Sequence, residues 1–226
     1  MSTVLLIRHG LTAMTGPVLA GWTPEVYLNE RGRQQAAELA GRLAPVPLAA
    51  IVASPLERCQ QTAAAVAADR PVEITTEERV GECHYGEWTG QDLKKLSKDP
   101  LWRVVQAHPS AAVFPGGEGL AQTQARAVAA VRDWNARLGP EATYAVVSHG
   151  DVIKALLADA LGMHLDLFQR IVVDPCSLSV IRYTELRPFV ARLNDTGGAV
   201  SDLIPPKRRG RRRAASSDAA VGGGAG

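Results

Sequence analysis

Long apolar runs, paired cysteines and aromatic side chains are all scarce in this chain of 226 residues, and each shortage closes off a class of protein. No apolar run approaches the roughly 20 residues needed to cross a bilayer. Arg, Asp, Gln or Lys interrupts every helical candidate, so no membrane partner is expected. The three cysteines, Cys59, Cys83 and Cys176, are odd in number and too far apart for paired metal-ligand spacing. That argues against a disulfide scaffold or zinc module and for reduced, structural thiols. No basic region precedes the apolar stretch Val4 to Ile7 and no cleavage-like segment follows it, so a cytoplasmic chain is expected. Aromatics make up 5% of the residues, and no stretch interleaves them with basic ones in the way nucleic-acid binding uses. The small net charge of +2 is itself misleading. Residues 205–226 hold six basic side chains, Lys207, Arg208, Arg209, Arg211, Arg212 and Arg213, against Asp218, which leaves the remainder of the chain net acidic. The overall basicity therefore says nothing about a partner of the folded part, and a solvated tail is a commoner outcome than a nucleic-acid site.

A hydrophobic content of 46% is enough to bury a core. Runs rich in Val, Ile and Leu recur at Val4–Ile7, Ile51–Ala53 and Tyr144–Val147, each followed by a turn and then a helix-like pattern. Asn29 is a good N-cap for a helix carrying Ala36, Leu39 and Leu43 inward. Ser54-Pro55 reads as the start of a second helix, serine as cap and proline in its first position. Further helices are predicted over Leu120–Leu138 and Val152–Leu161, and late strands over Ser177–Tyr183 and Phe189–Leu193. Strands alternating with helices imply an α/β fold, a three-layer α/β/α sandwich around a mostly parallel mixed sheet. Between Gly81 and Gly119 the pattern breaks into short helical pieces, prolines and glycines, as for a lid-like insertion in a catalytic domain over residues 1–195. Residues 196–226 turn to Gly, Ala, Ser, Pro and Arg, a composition that predicts a disordered tail.

Each of the first three strands runs into unusual residues: Arg8-His9-Gly10, Ser54-Pro55-Leu56-Glu57-Arg58, and Ser148-His149-Gly150. In open α/β sheets, ligands sit beyond the carboxyl ends of the strands, where helix N-termini present free N–H groups. A cation near the start of a helix, as Arg58 would be, opposes the helix dipole and calls for an anion beside it. Two arginines, two histidines and helix ends at one end of the sheet suggest an anion pocket, with phosphate the natural candidate. Arginine's planar fork matches phosphate oxygens, and histidine can either donate to them or attack phosphorus.

These residues resemble the histidine phosphatase superfamily, in its phosphoglycerate-mutase-like branch. The match runs through LLIRHGLT (Leu5–Thr12), SPLERCQQTA (Ser54–Ala63), GECHYGEWTG (Gly81–Gly90), FPGGEG (Phe114–Gly119) and VVSHGDVIKAL (Val146–Leu156), in the family's order. The resemblance implies that His9 forms a phosphohistidine, that Arg8 and Arg58 clamp the phosphoryl oxygens, and that His149 donates to them. It implies that Glu82 is the general acid and base and that no metal or other cofactor is required. Thr15 stands where relatives carry asparagine and, with Gly150, is a candidate phosphate contact. Gly119 replaces a common serine. Asp151 follows Gly150 and ranks below Glu82 as proton donor, reading as a helix-start residue. His84, His108 and His164 read as structural or surface residues, and Trp88 and Trp102 as packing.

The reaction implied is hydrolysis of phosphate monoesters, with a small phosphorylated metabolite as substrate. The form YGEWTG favours a phosphatase over the alternative, a bisphosphoglycerate-dependent mutase. CHYG, with Cys83 where the mutases usually carry arginine, keeps that alternative open. A catalytically silent phosphate-binding module is a third reading, and a homodimer is compatible with the resemblance.

Overall fold

The computed structural model describes residues 2–197. The expected basic tail therefore lies almost wholly outside the described residues.

The apolar runs become strands. β1 (Ser2–Arg8), β2 (Ile51–Ala53), β3 (Ile74–Thr76), β4 (Thr143–Ser148), β5 (Leu178–Tyr183) and β6 (Pro188–Asp195) form one sheet in the order β3-β2-β4-β1-β5-β6. The first four in that order are mutually parallel, while β5 runs antiparallel to β1 and β6 antiparallel to β5. Pro188 opens the edge strand β6, a position where a missing N–H costs no ladder bond. β3 escapes sequence reading: it has three residues, Ile74, Thr75 and Thr76, none of them buried.

Side-chain alternation along β1 divides the core. Val4 and Leu6 face one layer together with Val52, Tyr144 and Val146. Leu5 and Ile7 face the other with Ile51, Ala53, Ala145 and Val147. The second face is covered by α1 (Glu30–Leu43) and α2 (Glu57–Ala67), through Ala36, Leu39, Leu43, Cys59, Ala63 and Val66. The first is covered by α5 (Leu120–Leu138) and α6 (Gly150–Ala160). Sheet and covering helices make the three-layer α/β/α arrangement expected from the sequence.

Asn29 caps α1 as expected, its side chain accepting from Gly32 N–H at 2.8 Å. The expected start of α2 at Ser54-Pro55 is corrected. Leu56 is still extended (φ −72°, ψ 139°) and the helix begins at Glu57; the serine hydroxyl accepts the Leu56 N–H at 3.4 Å and also meets a side chain just past the end of a neighbouring strand. Between Gly81 and Gly119 the chain forms 3-10 turns at Gly86–Trp88 and Pro109–Ala111 and the short helices α3 (Leu93–Leu96) and α4 (Pro100–Ala107). Trp88 packs on Trp102, with ring centroids 6.2 Å apart, and on Phe114 at 5.3 Å, and all three join the core beneath α5.

Candidate active site

The order β2-β4-β1 puts three parallel carboxyl ends side by side, with Arg8 in register with Ser148 and Ala53 with Val147. The residues just past those ends must converge. His9 and His149 each lie one residue beyond their strand, and their ring centroids are 5.3 Å apart. The tight passage at Gly10 is set by α1: a Cβ there would lie 2.6 Å from the carbonyl oxygen of Gly32. Gly32 in turn has no room for a Cβ beside the Leu11 carbonyl, 2.1 Å away. The two glycines let the first turn of α1 lie against the histidine loop.

His9 is buried, and its Nδ1 stands 2.8 Å from the Gly10 carbonyl. A carbonyl only accepts, so the bond places the ring proton on Nδ1 and leaves a lone pair on Nε2. Burial, then Arg58, then Arg8 hold the imidazole well below its usual pKa. It is therefore neutral at physiological pH, the state a nucleophile needs.

Both arginines are positioned by carbonyls, and Arg58 leaves donors in reserve. Arg8 Nη1 donates to Val173 O at 2.7 Å, and Arg58 Nη2 to Gly21 O at 2.7 Å. Arg58 is 1% exposed, yet its Nε and Nη1 have no hydrogen-bond partner. Buried guanidinium donors without acceptors are costly, and an incoming oxyanion relieves the cost.

His149 Nε2 lies 2.7 Å from Ser54 Oγ, and its Nδ1 lies 3.4 Å from Arg58 Nη2 and 3.8 Å from Glu82 Oε2. Burial and Arg58 keep this ring neutral too. The Cys59 thiol packs 3.4 Å from the same Nε2, its own pKa raised to about 12 by burial, which leaves it unreactive.

Glu82 is 4% exposed. Its Oε1 accepts the Cys83 N–H at 3.0 Å and faces Tyr85 OH at 3.4 Å. Burial first and the Asp151 charge second push its carboxyl up to about 7, against the opposing pull of Arg58 and Arg8. A carboxyl poised near neutral pH can give a proton and take it back.

Arg8, His9, Arg58 and Glu82 line one cleft, together with Thr15 and a loop sequence motifs did not flag, including Met14, Val18, Leu19 and Gly21. Thr15 Oγ1 also accepts the Thr12 N–H at 3.1 Å. His149 packs behind this front, against His9 and Arg58. Gly150, likewise behind it, opens α6. Gly119 is the N-terminal boundary of α5, and neither tryptophan of the 81–119 segment lines the cleft. His84 is exposed and stacks on Trp22 at 4.2 Å; His108 and His164 are exposed beside Asp166.

Sequence reading missed three things. Ser54 supports His149 instead of capping a helix. Asp151, in the first turn of α6, is 1% exposed and accepts from Tyr85 OH at 2.8 Å, with Lys154 Nζ 3.9 Å from its other oxygen. The Gly21 carbonyl that holds Arg58 carries no sequence signal at all.

Comparison with known proteins identifies the family and the fold. The sequence profile of the histidine phosphatase superfamily (branch 1) matches residues 4–196. The chain belongs to that superfamily. It is 33% identical to phosphoserine phosphatase 1 of Hydrogenobacter thermophilus, over 87% of this chain and 93% of that one. A probable phosphoglycerate mutase GpmB of an Enterobacter species is 28% identical, over 91% and 97%. The solved structure of YhfR from Bacillus stearothermophilus superposes with a TM-score of 0.78 at 31% identity, covering 86% of this chain and 98% of that one. By contrast, the chain spans about half (54%) of a 32%-identical bifunctional protein from Mycobacterium tuberculosis. Histidine phosphatases with hydrolase and mutase names are thus both among its relatives. No helix among the described residues is long and apolar enough to cross a membrane.

Proposed function

We propose that the protein hydrolyses phosphate monoesters of small metabolites, without a metal, through a phosphohistidine at His9. The observation that carries the reading is the His9 contact with Gly10, which leaves Nε2 unprotonated in a cleft that the buried Arg8 and Arg58 also line. In the first step Nε2 attacks phosphorus, the P–O bond to the alcohol breaks, and Glu82 gives its proton to the departing oxygen. In the second, water attacks the phosphohistidine, Glu82 takes the proton from that water, the N–P bond breaks and phosphate leaves. Arg8, Arg58 and His149 stabilise the phosphoryl oxygens throughout, and preorganised donors of this kind usually make the largest contribution to catalysis.

The mutase reading draws on the GpmB relative. A mutase must also hold the second anionic group of its substrate. Among the described residues that line the cleft, Arg8 and Arg58 are the only cationic side chains, and apart from His9 and Glu82 the others are apolar or hydroxyl-bearing. That favours hydrolysis.

Phosphate release from an aryl phosphate and a panel of metabolite phosphates in EDTA, with wild type and His9→Ala compared, tests the reading. Metal-independent release that is lost in the variant supports it. Turnover only as a bisphosphoglycerate-dependent mutase would replace it, and phosphate binding without either reaction would mark a binding module.

A further inference from the structure

Glu82 sits on a loop, yet the backbone that carries it is held at four successive carbonyls by side chains from elsewhere in the fold. Arg126, on α5, donates through Nη1 to Arg79 O at 2.7 Å and Gly81 O at 2.9 Å, and through Nη2 to Glu82 O at 2.8 Å. Ser148 Oγ donates to Val80 O at 2.6 Å, and Trp22 Nε1 to Glu82 O at 2.6 Å. Arg126 also grips Glu118, Nε to Oε2 at 3.0 Å and Nη2 to Oε1 at 2.5 Å. Glu118 Oε1 then accepts the His84 N–H at 2.9 Å, tying down the chain two residues beyond Glu82.

A guanidinium has five N–H donors in a fixed planar fork. Three carbonyls and two carboxylate oxygens account for all five, so Arg126 has no donor left for substrate. Burial alone would raise the Glu118 carboxyl, but the bonds from Arg126 and the His84 N–H outweigh it and hold the group below its usual range. The pair is thus a fixed ionic bracket spanning residues 79 to 84. A displacement of about 1 Å at a reacting group can cost on the order of a hundredfold in rate, and a carboxylic acid on an unsupported loop would not hold its place.

We propose that Arg126, braced by Glu118, is a positioning residue that aims the Glu82 carboxyl at the leaving-group oxygen. This rests on the reading of Glu82 as general acid. The bracket does nothing for phosphate capture, which belongs to Arg8, Arg58 and His149 on other elements. Lysine cannot replace it, because three donors on a flexible stem do not reproduce the fork.

The test compares wild type, Glu82→Gln, Arg126→Met, Arg126→Lys and Glu118→Gln on an aryl phosphate, whose leaving group needs little protonation, and an alkyl phosphate, whose leaving group needs much. Inhibition by inorganic phosphate is measured alongside. The expected result is that Glu82→Gln and both Arg126 variants lose about a hundredfold or more in kcat/KM on the alkyl ester. They lose only a few-fold on the aryl ester, keep the phosphate inhibition constant, and Glu118→Gln follows with a smaller loss. Equal loss on both esters in the Arg126 variants, or weakened phosphate binding, would show general structural damage and overturn the proposal. If Glu82→Gln depends on leaving group but the Arg126 and Glu118 variants do not, the positioning role alone fails. If Glu82→Gln shows no such dependence, the general-acid reading falls and the proposal with it. Should Arg126→Met not fold, Arg126→Lys and Glu118→Gln decide the matter.

Discussion

Ser54 Oγ and His149 Nε2 stand 2.7 Å apart, both wholly buried, and the bond joins the end of β2 to the end of β4 behind the cleft that His9 and Glu82 line. Removing the hydroxyl leaves an imidazole nitrogen without its partner away from water. Ser54→Ala should therefore lower stability by about 1–3 kcal/mol. It should also reduce kcat, because His149 loses the contact that fixes its ring. Chemical denaturation and steady-state kinetics on the same samples check both.

The carboxyl of Glu82 gives the enzyme a pH signature. Raised to about 7, it supplies the acid form in mildly acidic to neutral solution and loses it as pH rises. With alkyl phosphates, kcat/KM should fall with increasing pH through about 7, and Glu82→Gln should abolish that limb at a cost of roughly 10²–10⁴ in rate. Stability carries the same sign. A carboxyl whose folded pKa exceeds its unfolded value contributes most below the unfolded pKa, and that contribution is lost as pH rises through the folded one. Glu82→Gln should thus gain stability relative to wild type as pH rises from 4.5 to about 7 and gain no more above that, which thermal melts across pH would show.

Asp151 is the second cause of that raised value. Asp151→Asn removes the negative charge beside Glu82 while keeping an acceptor for Tyr85 OH. The alkaline limb of kcat/KM should move to lower pH. An unmoved midpoint would show that burial alone sets the Glu82 carboxyl.

Close packing at the histidine loop makes a further prediction. A Cβ on Gly32 meets the Leu11 carbonyl at 2.1 Å, so Gly32→Ala must push α1 and the loop after His9 apart. Overpacking of this kind typically costs about 1–3 kcal/mol. Gly41, on the same helix with open space around it, is the control: Gly41→Ala should be neutral or stabilising.

Short motifs made the candidate site residues legible because strand ends put chemistry where the chain turns, so Arg8-His9, Arg58 and Ser148-His149 stand out within a few residues each. The same local logic misread Ser54. Ser-Pro satisfies the rule for a helix start, and only the neighbouring strand supplies the histidine that takes its hydroxyl. β3 went unseen because a three-residue strand with no buried side chain leaves no hydrophobic period to read. Arg126 belongs to no motif on its helix. Its partner carbonyls lie 44 to 47 residues away, and no spacing rule connects them.

Trapping the covalent intermediate tests the central claim most directly. Wild type and His9→Ala would be mixed with a radiolabelled phosphate ester, quenched in alkali within milliseconds, and the labelled peptide mapped. Label on His9, stable to alkali and labile to acid, and absent from the variant together with turnover, is the expected result. Undiminished hydrolysis by His9→Ala, or rapid turnover with no label on His9, would contradict phosphohistidine catalysis in this protein.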